Sequence, residues 1–197
     1  MAGLKFMSPE SRQVKYLMPN QAFVKGGKFF RATEGGVSDP DVPSDIVNRL
    51  PPPDGRIASA GNPYAFKLDG VRDEFGNAWG ANPVMGGNAI EISVGFELPV
   101  KVRRVVAWMT KPNWNATQEL SRASFDLLNP VYRRTYPAAP YQEANKPIPE
   151  GLVAPTPLSF SFNLPPRPVG HHVLLLEFDD PGSGDAGYQV IDLRYTG

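Results

Sequence analysis

The chain contains no cysteine in its 197 residues. That absence excludes disulfides, thiolate metal centres and thiol nucleophiles together, and it favours a reducing compartment, since secreted sandwiches often carry disulfides. Histidine is nearly absent too, with only His171 and His172, side by side. Net charge is missing: 20 Lys and Arg balance 20 Asp and Glu. So even a balance gives no electrostatic footprint for nucleic acid or an anionic membrane, and the ligand is expected to be uncharged or weakly charged. No apolar run is long enough to span a bilayer. The start, Met1 to Met7, lacks the continuous apolar core of a Sec-type signal. The expectation is a cytoplasmic protein or one exported by a non-Sec route, and a secreted one if a leader preceded this start. Neither a phosphate loop with its lysine nor a Gly-x-Ser-x-Gly elbow is present.

What the chain has in excess is punctuation, with 22 Pro and 19 Gly. Pro removes an amide donor and Gly gives up backbone entropy, so helix is disfavoured and turns abound. The length suits one all-β domain covering 1–197, an antiparallel sandwich with long loops and short helices. Strands are predicted at Ala89 to Leu98, Val102 to Met109, Pro157 to Leu164, His172 to Phe178 and Gln189 to Tyr195. In the first, Ile90, Ile92, Val94 and Phe96 share one face, the period of a half-buried strand. Leu174 to Leu176 form an unbroken apolar run, which implies cover on both faces. Short helices are predicted at Ser44 to Leu50 and Ser121 to Leu128, each opened by a capping Ser. Between Val14 and Asn88 the breakers imply long loops, where binding usually resides.

Four segments resemble the bacterial chitin-binding type 4 domains, the copper-dependent lytic polysaccharide monooxygenases. Ser8-Pro9-Glu10-Ser11-Arg12 is similar to the segment that follows the family's N-terminal histidine. Pro53-Asp54-Gly55-Arg56-Ile57-Ala58-Ser59-Ala60 resembles its Gly-His-Ile-Ala-Ser-Ala segment, with Arg56 in place of histidine. Met109 to Trp114 followed by Leu120 to Leu127 is the most specific match. The fourth is the closing hairpin, Val173 to Phe178 and Tyr188 to Leu193. The resemblance implies an immunoglobulin-like or fibronectin-like core with a large loop region after the first strand.

The resemblance also implies which residues would hold copper. The family's brace uses the amino group and ring of an N-terminal histidine plus a second histidine, because neutral imidazole suits copper. Here Gly3 and Val100 occupy those positions, and Gly187 occupies the axial aromatic one. No cofactor and no catalytic activity are therefore expected. His171 and His172 point to opposite faces of a strand, so the two rings cannot both reach one metal, and a structural role is expected of them. Asp179, Asp180 and Asp185 offer paired carboxylates or a calcium set, yet Asp in a Pro/Gly loop more often forms turns. Asn115-Ala116-Thr117 is a formal glycosylation sequon with no secretory context behind it.

What remains of the family's chemistry is a surface for polysaccharide, where an exposed ring stacks on a sugar face and polar groups bond its hydroxyls. The comparable segment gives Phe30, Arg31 and Glu34, while the hairpin loop gives Gly182 and Asp185, of which Asp185 alone keeps hydrogen-bonding capacity. Trp108 and Trp114 read as buried and Trp79, in a Gly/Asn loop, as exposed. The expected function is non-catalytic binding of chitin, peptidoglycan or another glycan rich in N-acetylglucosamine. The alternative is a structural or adaptor component of a toxin, phage or secretion assembly, with a protein partner in place of a polysaccharide.

Overall fold

Leu174, Leu175 and Leu176 are fully buried at consecutive positions, which is possible only when both faces of their strand are covered. The computed structural model describes residues 3–28, 51–98, 100–102, 104–135, 152–153, 157–180 and 185–196. The strands are β1 (Leu4–Ser8), β2 (Val24–Gly27), β3 (Asn82–Val84), β4 (Ala89–Phe96), β5 (Lys101–Val102), β6 (Arg104–Met109), β7 (Tyr132–Thr135), β8 (Leu152–Val153), β9 (Leu158–Asn163), β10 (Gly170–Asp179) and β11 (Asp185–Tyr195). One sheet runs β1-β4-β9; the larger runs β2-β11-β10-β6-β7, with β3 parallel to β11, and β5 pairs separately with β8. All other pairings are antiparallel, so the predicted immunoglobulin-like sandwich is the observed fold.

The core lies in two layers, one on each face of the larger sheet. Between the sheets, Ile90, Ile92, Val94 and Phe96 of β4 meet Leu174, Leu176 and Phe178 of β10 and Ile191 and Leu193 of β11. On the other face, Val173 and Leu175 pack with Trp108, Tyr188 and Val190 beneath a lid of loop residues that includes Ile57, Ala58, Ala65 and Leu68. The loop region thus acts as a third layer. That second cover explains why β10 shows no polar alternation.

The predicted strand Val102 to Met109 changes partner partway: Val102 pairs with Leu152, whereas Arg104 onward lies between β10 and β7. The predicted helix Ser121 to Leu128 shrinks to the 3-10 turn Arg122–Ser124. Ser121 and Ser124 satisfy one another's ends, and Phe125 then extends to bridge Thr110, which leaves no amide ladder for a longer helix. The predicted helix Ser44 to Leu50 lies outside the described residues. A helix absent from the prediction, α1 (Arg12–Tyr16), is capped by Ser11, whose Oγ accepts from Val14 N at 3.2 Å. Among the described residues no helix is long and apolar enough to cross a membrane.

Candidate functional site

The three positions where the resemblance expects copper ligands are built from groups without donors. Gly3 is buried before β1 and its carbonyl accepts from Glu97 N at 3.0 Å. Val100 is part of the apolar layer between the sheets, with Phe23, Phe96 and Phe178. Gly187 sits in β11 opposite Phe178, and a β-carbon there would collide with the Phe23 ring. Phe23 reaches this spot from the residue just before β2 and packs edge-on against Phe96 at 5.4 Å and Phe178 at 6.0 Å. Space that a side chain at position 187 would fill is taken by a ring from another element. Copper needs nitrogen donors and an open position; an apolar plug supplies neither, so the residues present do not fit the metal.

Both histidines have partners of their own. His172 is buried between Thr110 Oγ1 at 3.2 Å and the Pro168 carbonyl at 3.2 Å, and burial holds its ring pKa below the ordinary value. His171 Nε2 lies 2.7 Å from Asp192 Oδ1. The acidic loop is similarly occupied: Asp179 is buried against Arg104 at 2.6 Å, and Asp180 faces Lys25 at 3.4 Å. Asp179 therefore belongs to a buried ion pair and is not a calcium ligand or a hydrolytic carboxylate. Asp185 is half-buried at the start of β11, paired in register with Gly27. Among the described residues no three His, Asp or Glu converge as a metal site.

The residues that carry the resemblance turn out to be struts. Arg12 clasps Asp192 through Nε and Nη2, both at 2.8 Å, and gives Nη1 to the Leu68 carbonyl at 3.0 Å. Ser11 Oγ donates to Gln189 Oε1 at 2.5 Å, and Gln13 Nε2 donates to the Ala58 carbonyl at 2.7 Å. Arg122 ties the third segment to the second through Asp54 and the Pro52 carbonyl. Burial alone would raise the Asp192 carboxyl, but Arg12 and then His171 outweigh it and hold the group below the ordinary range. Trp79, expected to be exposed, is 5% exposed. Its ring lies 4.2 Å from the Arg12 guanidinium, Tyr16 meets its edge at 5.0 Å, and its Nε1 donates to the Gly70 carbonyl at 2.8 Å. A ring held on three sides is not a sugar platform. Trp108 is buried in β6, and Trp114 is half-buried against the His171 ring at 5.5 Å. Phe30, Arg31, Glu34 and Gly182 lie outside the described residues.

An exposed aromatic that the sequence reading passed over lies in the 3-10 helix Pro63–Leu68. Ala65 and Leu68 turn inward, which leaves Phe66 61% exposed. Arg56 and Phe66 line two neighbouring grooves of about 410 and 360 Å³. The second also contains Lys67, Asp69 and Glu119. Asp69 is 5% exposed; its Oδ1 accepts from Ser59 N at 2.8 Å, while Oδ2 accepts no hydrogen bond and lies 3.7 Å from Arg56 Nη1. Burial, the largest influence, pushes this carboxyl above the ordinary range against the pull of Ser59, Arg56 and Arg12. Gly55 has φ 76°, a left-handed turn that suits glycine and brings its backbone close to the Glu119 carboxylate.

Fold and site together define an antiparallel sandwich built like a polysaccharide-oxidising domain, with apolar groups at its expected metal positions. The family described as "Lytic polysaccharide mono-oxygenase, cellulose-degrading" matches residues 5–193, and the chain belongs to it. GlcNAc-binding protein A of Vibrio vulnificus is 30% identical over 151 residues, 74% of this chain and 26% of that protein. The chain thus spans about a quarter of the length of the curated relatives it matches. A chitin binding domain from Burkholderia pseudomallei superposes with a TM-score of 0.80 at 34% identity, over 99% of this chain and 98% of the other. An AA10 lytic polysaccharide monooxygenase from Streptomyces lividans gives 0.74 at 25% identity, over 99% and 100%.

Proposed function

We propose that this chain is a non-catalytic carbohydrate-binding protein on a lytic polysaccharide monooxygenase scaffold. Its ligand is chitin, peptidoglycan or another glycan rich in N-acetylglucosamine. The observation that carries the reading is the Phe23 ring seated over Gly187, with Val100 in the same apolar layer and no side chain at Gly3. A copper centre there would have to expel a core aromatic. Binding itself is supported by kinship: one relative is named for GlcNAc binding and one structural neighbour for chitin binding. The docking contacts proposed from the sequence are Phe30, Arg31, Glu34 and Asp185; Trp79 is withdrawn from that set because it is buried.

Two measurements test the two halves. Pull-down on insoluble chitin, cellulose and peptidoglycan is expected to retain the protein on at least one solid with N-acetylglucosamine, and recovery of all of it in the supernatant from every solid overturns glycan binding. Copper titration followed by calorimetry and spin resonance is expected to show weak, non-specific uptake. A tight type 2 copper signal would overturn the non-catalytic half.

A further inference from the structure

We propose that the cleft around Phe66, Arg56 and Asp69 is a second carbohydrate-binding site, shaped for a neutral pyranose and separate from the family docking face. The separation follows from the strand alternation. Gly187 and Val100 face the layer between the sheets, whereas the segment from Ile57 to Leu68 covers the opposite face of the larger sheet. A ligand held by Phe66 therefore lies on the loop layer, across the larger sheet from the Phe23 plug.

Three features of the cleft point to a sugar. Phe66 offers an exposed ring of the kind that packs on the apolar face of a pyranose. Arg56 and Phe66 line both grooves, so successive sugar units of one chain can lie on either side of them. Asp69 supplies the polar anchor: its buried Oδ2 accepts no hydrogen bond in the free protein, a deficit that an incoming hydroxyl or amide N–H removes. Arg56 Nη1, at 3.7 Å, is too far to serve as that donor, and the Arg56 side chain is 52% exposed, so it can move outward and donate to the same hydroxyl oxygen. A hydroxyl that donates to Asp69 and accepts from Arg56 uses both of its capacities.

Charge selects the neutral ligand. Among the described residues that line the second groove, Arg56 and Lys67 balance Asp69 and Glu119. Neither an anionic nor a cationic glycan gains from such a balance. The site is independent of the docking face and stands or falls on its own residues.

The test is titration of nitrogen-labelled protein with the N-acetylglucosamine tetramer, and with the cationic glucosamine tetramer beside it, read from backbone amide shifts. The expected result is saturable movement of Gly55, Phe66 and Gly70 with the neutral sugar, and weaker response to the cationic one. Phe66→Ala and Asp69→Asn should each weaken that binding about tenfold or more, with thermal melting confirming that both variants fold. Phe66→Ala removes an exposed ring and keeps the test available if Asp69→Asn unfolds. Movement confined to Asp185 and Gly187, no saturable movement, preference for the cationic sugar, or unchanged affinity in Phe66→Ala overturns the site. The first of these outcomes would leave glycan binding by the docking face intact.

Discussion

Asp192 and Asp69 are both buried carboxylates on the loop-covered side of the molecule, yet they are treated oppositely. Asp192 is gripped by two guanidinium nitrogens at 2.8 Å and by His171 at 2.7 Å. Asp69 has one oxygen bonded to a backbone amide and the other without a hydrogen bond. The pKa directions follow: Asp192 falls below the ordinary carboxylate range and Asp69 rises above it. A buried charge costs several kcal/mol unless its lone pairs are met. Asp192 has the signature of a strut, whereas Asp69 retains an unmet acceptor beside an exposed ring, as a binding group does.

The sharpest way to break the contrast is to remove the strut. Arg12→Ala leaves Asp192 buried without its cation and strips Trp79 of the guanidinium above it; the expected loss is about 3–5 kcal/mol, read from urea denaturation. His171→Ala takes away one further partner of the same carboxylate and is expected to cost about 1.5–3 kcal/mol by the same measurement. Gly187→Ala probes the apolar plug, where the added methyl must displace the Phe23 ring; about 1–3 kcal/mol is expected from overpacking. A neutral result for Arg12→Ala would mean that Asp192 is as tolerant of isolation as Asp69, and the distinction between strut and binding group would fail.

The larger part of the fold was legible in the chain. Leu174 to Leu176 announce a doubly covered strand because no solvent face exists to demand a polar residue, and Ile90 to Phe96 alternate because β4 is covered on one side only. The site was legible only in part. Gly187 is readable as a lost aromatic, but nothing in the sequence says that Phe23, distant along the chain, fills the space. Trp79 reads as a loop residue because its neighbours are Gly and Asn, while the partner that buries it, Arg12, arrives from α1. Phe66 belongs to no motif that the sequence marks; the 3-10 geometry turns Ala65 and Leu68 inward and sends it outward. These are long-range or torsional facts, which local pattern does not encode.

The smallest expected effect separates the two carboxylates most cleanly, because it changes sign with pH. Asp192, with a lowered folded pKa, contributes stability that is present above the ordinary carboxylate value and lost as pH falls through its folded one. His172, also lowered, adds acid sensitivity just below the ordinary imidazole value, where the unfolded chain binds the extra proton. Asp69 runs the other way. Its raised folded pKa means that the native state holds a proton more tightly, so stability is lost as pH rises from the ordinary carboxylate value through the folded one. Asp69→Asn removes that single opposing contribution. Its unfolding free energy relative to the unmodified protein, read from urea denaturation, should be unchanged or lower in strong acid and should gain on the parent as pH rises toward neutrality, by about 1 kcal/mol or less. A difference that stays flat across this window would mean that Asp69 is satisfied in solution, and the unmet acceptor that distinguishes the Phe66 cleft from the Arg12 clasp would be gone.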